Sequence, residues 1–311
     1  RGRKSRATMT GFRACVMALA LCLAVPAAAQ ERVTLGWGRA FVNDALGDMR
    51  DRWRTGSYTV SRVRGPSWQG SLPATFGEIL EFRGRAEVIA PESLTAPPPG
   101  DRRYAGVLSL GLHSHFDLAG FETSLGADLV FTGPQTRLSD IQEEIHRVLD
   151  LPLPLVAANQ IPNGFHPTLV AEIGRSLSFG DAGTIRPFVE AQAGLETFVR
   201  AGFDLTLGQF GDGALMLREQ VTGHRYRAVA GSLTPGFSLI LGGDVAHVFD
   251  SELLPDGGAA VLSDSRSRLR AGVAWQGDRA SAFYGLTWLG KEFETQREGQ
   301  LVGALTLRLV F

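Results

Sequence analysis

From Phe121 to Phe131 the chain alternates residue by residue. Phe121, Thr123, Leu125, Ala127, Leu129 and Phe131 form one series, and Glu122, Ser124, Gly126, Asp128 and Val130 form the other. A period of two places the two series on opposite faces of a β-strand. The pattern recurs in Tyr104, Gly106, Leu108, Leu110, Leu112 and Phe116, and again in Leu301, Gly303, Leu305, Leu307, Leu309 and Phe311, with Thr306 and Arg308 opposite. Apolar faces that end in aromatic rings suit strands facing lipid between two interfacial girdles. The spacing predicts an all-β fold, a transmembrane antiparallel β-barrel. A soluble sandwich would also alternate, so the termini carry weight.

Residues 1–29 read as a signal peptide, with residues 30–311 as the barrel domain. Arg1, Arg3, Lys4, Arg6 and Arg13 give a basic start. The apolar run Cys15 to Val25 is too short to span a bilayer, and Ala27, Ala28 and Ala29 supply small residues for cleavage. Leu21 before Cys22 is too bulky for lipoprotein processing. Both cysteines lie in this segment, so residues 30–311 hold neither a disulfide nor a thiolate zinc cage. They carry 26 Lys and Arg against 32 Asp and Glu, a balance that argues against a nucleic-acid partner. The terminal aromatic Phe311 looks like the assembly signal of bacterial outer-membrane barrels, which makes the outer membrane and its barrel assembly machinery expected partners.

Turn signals fall at Gly65-Pro66, Asp117 to Gly120, Gly180 to Gly183 and Gln276 to Asp278. About 280 residues at roughly 20–24 per strand and connection give about twelve strands, and closure favours an even number. The first five strands are expected at about 33–43, from near Thr55 to Gly65, 75–90, 104–116 and 121–131. One segment departs from the β pattern: a short external helix near 136–149, with apolar residues Leu138, Ile141, Ile145, Val148 and Leu149 at helical spacing. Gln142 and His146, four apart, share a face of that helix. With the N-terminus in the periplasm, Asn43, Asp44, Thr55, Gln142 and His146 all fall at the outer rim, facing the cell exterior. Asn43-Asp44 also reads as a simple turn start, and Gln142 and His146 as a solvated helix face.

Asn43-Asp44, Asp51-Arg52 with Thr55-Gly56, Asp101-Arg102 with Tyr104-Ala105-Gly106, Gly133-Pro134, Gln142, His146 and Gln160 occur in this order. Together they resemble the outer-membrane lipid A 3′-O-deacylase family across roughly residues 33–180. The resemblance implies a twelve-stranded barrel and a calcium-dependent esterase acting on lipid A in lipopolysaccharide. It implies a site between barrel wall and helix, with functional positions matching Asn43, Asp44, Thr55, Gln142 and His146. A lysine that the family carries in the loop after the third strand has no counterpart, since residues 92–100 contain neither Lys nor Arg. The tryptophan often found shortly before the position of Gln160 is also missing.

The implied chemistry is self-consistent. A neutral His146 can take a proton from water while Gln142 orients it. Asp44 offers a hard oxygen to Ca²⁺, with Asn43 and Thr55 as further donors, and the metal would polarise the ester carbonyl. A serine-esterase barrel is disfavoured, because His113, Ser114 and His115 alternate across the wall. The remaining alternatives are a barrel phospholipase and a non-enzymatic pore or structural barrel, whose polar lumen would include Glu122, Asp128, Glu190 and Gln192.

Overall fold

The computed structural model describes residues 31–231 and 234–309; the expected signal segment and Phe311 lie outside them. Twelve long antiparallel strands close into a barrel: β1 (Val33–Asn43), β2 (Trp53–Gly65), β3 (Ile79–Ala90), β4 (Ala105–Leu118), β5 (Phe121–Thr132), β6 (Gly164–Gly174), β8 (Gly183–Ala193), β9 (Glu196–Leu207), β12 (Gly236–Ser251), β13 (Ser265–Gln276), β14 (Ala280–Leu289) and β15 (Gln300–Leu309). The first and last strands pair through Phe41↔Leu305, and β6 pairs with β8, so no long edge is left open among the described residues. A two-residue strand β7 (Leu177–Ser178) pairs with β8 beyond the end of β6. No helix among the described residues is long and apolar enough to cross a membrane.

The expected strands are present with shifted ends. Strand β2 begins at Trp53 rather than near Thr55, and Thr55 sits at a register shift in its pairing with β3. Strand β3 begins at Ile79 rather than Thr75. The four residues before it close a turn, in which Glu78 N–H donates to Thr75 O and Gly77 has a positive φ.

The alternation sorts the wall into a lipid-type face and a charged lumen. Trp37, Phe41, Tyr58, Phe82, Leu110, Leu129 and Trp275 are exposed outward. Their inward neighbours are buried and paired. His113 meets Asp128 at 2.8 Å, His115 meets Glu81 at 2.8 Å, and Arg270 meets Asp204 at 2.7 Å. Glu122 contacts Arg186, Glu190 contacts Arg200, and Gln192 donates to Glu196 O. Buried charges need such partners, since an unpaired one is costly at low dielectric.

A hairpin fills part of the lumen. Strands β10 (Leu215–Arg218) and β11 (Arg225–Val229) pack Leu215, Leu217, Tyr226 and Val229 against Ala40, Val63 and Ile79. Tyr226 Oη lies 2.8 Å from Ser61 Oγ. Arg218 at the hairpin's turn end bonds Glu172 at 2.6 Å and Asp204 at 2.8 Å. The polar lumen is therefore occupied by protein.

Candidate active site

All the expected site residues lie at the end of the barrel where β1 finishes. Here the β5–β6 connection carries the helix α1 (Leu138–Val148). Asp140 in its first turn and Arg147 in its last complement the helix dipole, and Arg147 reaches back to Glu143 at 2.6 Å. The helix lies against β3 and β4 on the outside of the wall. Gly106 belongs to the outward series of β4, and a Cβ there would stand 2.5 Å from Thr136 Oγ1 and 3.2 Å from Leu138 Cβ. Only glycine lets the helix seat this closely.

The helix is mounted with its polar face inward. Leu138, Gln142 and His146 are its buried residues, while Ile141 is 54% and Val148 74% exposed. In water this would be inverted. Beside a lipid-facing wall it continues the apolar surface and leaves Gln142 and His146 as a polar seam against the barrel. The reading of these two residues as a solvated face is thus corrected: His146 is only 5% exposed.

His146 is held from both sides. After the helix the chain turns back, with Leu151 N–H donating to His146 O, and the Pro152 carbonyl comes to 2.6 Å from His146 Nδ1. A carbonyl only accepts, so Nδ1 carries the hydrogen. Nε2 then faces Asp51 Oδ2 at 3.0 Å. Gln142 Nε2 lies 3.4 Å from the other Asp51 oxygen, and Gln142 Oε1 is buried without a partner. Asp51 is therefore the hub of the site. The sequence reading quoted it in the Asp51-Arg52 match but gave it no role, and nothing local signals that the Pro152 carbonyl fixes the ring.

Asp44 is 3% exposed and accepts the Arg52 N–H at 3.1 Å. Burial first, then the nearby Asp51 carboxylate, push its carboxyl up to about 8, against the pull of backbone N–H groups. Burial also raises Asp51, and His146 opposes that rise. The Thr55 hydroxyl stands beside Asp51 and tempers the shift, without reaching hydrogen-bond geometry. Tyr104 is fully buried, and burial followed by Asp51 raises its phenol above the ordinary range. Asn43 divides its side chain: Oδ1 accepts Ala45 N–H at 2.8 Å, as a turn start does, and Nδ2 lies over Gly56. Arg102 and Arg103 are engaged elsewhere, with Glu292 and with Asn159 and Gln160.

The donor set suits a hard cation. Among the described residues no cationic side chain pairs with Asp44, and the Thr55 Oγ1 and Gln142 Oε1 oxygens are buried and unpartnered. No three His, Cys, Asp or Glu side chains among the described residues converge into a metal-binding group. Neutral oxygens and water would have to complete the shell, as they do for weakly held calcium.

Neither of the two larger cavities is lined by Asp44, Asp51 or Gln142. One of 390 Å³ is lined by Trp68, Asp117, Arg186 and Phe210, and one of 530 Å³ by Arg137, Asp140, Glu143 and Leu155 on the flank of α1. Neither includes His146.

A family model described as outer membrane protein LpxR matches residues 15–311. LpxR from Salmonella typhimurium superimposes with a TM-score of 0.74 at 16% identity, covering 89% of this chain and 100% of that one. The β domain of the Bordetella autotransporter BrkA reaches a TM-score of only 0.37 at 11% identity, covering 89% and 99%. Comparison with curated proteins gave no match.

Proposed function

Because the chain belongs to the LpxR family of outer membrane proteins, we propose that it is a lipid A deacylase whose His146 activates water against an ester-linked acyl chain at the 3′ position. The observation that carries this reading is the buried His146–Asp51 contact of 3.0 Å, clamped by the Pro152 carbonyl on the outer wall of the barrel. A general base needs a fixed tautomer with its lone pair aimed at the reacting water. The Pro152 contact supplies the tautomer, and Nε2 is the nitrogen left to act.

Nε2 faces Asp51 Oδ2, so the pair works as one base. It takes a proton from a water placed against the ester carbonyl, the hydroxyl adds to the carbonyl carbon, and the pair returns the proton to the leaving oxygen as the ester C–O bond breaks. Gln142, bonded to the far Asp51 oxygen, keeps the carboxylate in place. Asp44, with Thr55 and Asn43 as neutral donors, would hold calcium. Bound there, the ion supplies Lewis-acid polarisation of the ester carbonyl.

The reading places the helix-bearing end at the cell exterior. Five of the six connections at that end are long (44–52, 91–104, 133–163, 252–264 and 290–299), and β8–β9 turns in two residues. At the other end β4–β5 and β13–β14 turn in two and three residues, while 66–78 and 208–235 are longer, the latter carrying the hairpin β10–β11 into the lumen. Outer-membrane barrels keep short turns on the periplasmic side and long loops outside. The hairpin-filled lumen gives no support to a pore.

The test is direct. Purified protein with lipid A and calcium should release free fatty acid from the 3′ position, and absence of release from a folded sample would remove the reading.

A further inference from the structure

The outward residues of neighbouring strands form rows across the wall, and the rows below the site are uneven. The row at the level of α1 runs Asn43, Gly56, Val88, Gly106 by strand register. Two residues lower the row runs Phe41, Tyr58, Ala86, Leu108, Phe131, Phe165. This is an aromatic girdle with a methyl group where β3 crosses it. The next row runs Arg39, Val60, Gly84, Leu110, Leu129, and the one after it restores bulk with Phe82 between Arg62 and Leu112. Strand β3 therefore carries a gap two rows deep, floored by Ala86 and Gly84. Tyr58 and Val60 wall one side and Leu108 and Leu110 the other. Phe82 closes the far end.

Crowding does not explain the gap. A Cβ on Gly106 would strike the helix and one on Gly56 would press on Asn43 Nδ2. A Cβ on Gly84 would meet only Val60 Cγ1, at 3.5 Å, an ordinary contact. Gly84 has no positive φ to demand glycine. Glycine in a strand is otherwise unfavourable and often marks a place where something else approaches. Val88 and Phe82, about 20 Å apart at the rise of an antiparallel strand, bound the trough on β3 itself, and it opens upward beside Val88 at Gly56. It is continuous with the lipid-facing surface and opens at its upper end onto the row of Asn43 and Gly56, beside the loop that carries Asp44 and Asp51.

We propose that this trough is the groove for the scissile acyl chain, with Ala86 and Gly84 as its floor and Phe82 as the stop that sets its length. The inference rests on the deacylase reading and deepens it. A chain lying along β3 from the membrane side brings its ester to the rim beneath α1, where His146 and Asp51 stand. Shape selects the chain here, because a saturated chain fits a narrow apolar trough and offers no polar group to recognise.

The experiment uses the full chain in detergent micelles with lipid A analogues that differ only in the length of one ester-linked chain. Each is paired with an amide-linked analogue that binds without turnover. Gly84→Leu, in the far half of the floor, should lower kcat/KM for the long chain by about tenfold or more relative to the short chain, whereas Ala86→Leu, nearer the site, should lower it for both. Phe82→Ala should shift preference toward longer chains. The amide analogues should show the same length dependence in Kd. Should wild type bind the long amide better than the short but release nothing, the groove stands and the deacylase reading falls. Unaltered length profiles in the folded variants, for both binding and turnover, would overturn the groove itself.

Discussion

The Nε2 of His146 lies 3.0 Å from Oδ2 of Asp51, while Nδ1 is committed to the Pro152 carbonyl at 2.6 Å. That contact joins a helix residue to a loop residue 95 positions earlier. Asp51→Asn should place an amide N–H against Nε2, which occupies its lone pair. A fall in kcat/KM of about 10²–10⁴-fold is expected, the usual span for losing general-base function. Heat-modifiable gel mobility should show the barrel intact, and near-normal turnover in this variant would contradict the assignment of Asp51.

The pH dependence follows from the same pair. Burial raises Asp51, with His146 opposing, so the Asp51 carboxyl keeps its proton to higher pH than a free carboxyl does. The proton-bound form is inactive, so kcat/KM should rise with pH across the titration of the pair and then level. As pH falls the activity should be lost earlier than for an ordinary carboxylate. A profile flat from acid to neutral pH would argue against proton loss as a requirement.

Calcium binding should be linked to protons through Asp44. With its carboxyl pushed up to about 8 by burial and by Asp51, a cation must displace a proton near neutrality. Apparent calcium affinity should therefore increase with pH up to about 8 and flatten above it, as read by calorimetry in two buffers of different protonation enthalpy. Chelation should stop turnover reversibly, and magnesium should substitute poorly because it demands tighter octahedral geometry. Asp44→Ala should need far more calcium than wild type, while Asn43→Ala and Thr55→Ala lose less. Full activity in excess chelator would exclude the metal.

Gly106→Val tests the seating of the helix. The added Cβ would stand 2.5 Å from Thr136 Oγ1, closer than a relaxed contact, and press on Leu138 Cβ at 3.2 Å. Overpacking of this kind costs about 1–3 kcal/mol, and the surface helix should yield before the barrel does. Turnover should drop at least several-fold with heat modifiability retained. Activity equal to wild type would show that α1 need not lie against β4.

How much of this was legible in the sequence depends on distance along the chain. The barrel and its inner and outer faces follow from a period of two, visible within any ten residues of β4, β5 or β15. The positions of Gln142 and His146 on one helix face follow from a period of 3.6. Which way that face points does not, because an amphipathic helix on a membrane barrel inverts the rule that holds in water. Asp51 escaped notice as a participant because only the fold brings the β1–β2 loop to α1. Pro152 acts through a main-chain carbonyl and has no side-chain signature. Thr55 was placed one strand position too simply, since the register shift between Arg54 and Gly56 is set by pairing with β3.

The central claim is tested most directly by mass spectrometry of lipid A from cells producing either the wild-type chain or His146→Ala, each confirmed as folded protein in the outer membrane. Wild type should yield lipid A lighter by one ester-linked acyl chain at the 3′ position, and His146→Ala should leave it unchanged. Equal lipid A in both samples, whether both intact or both deacylated, would contradict the account.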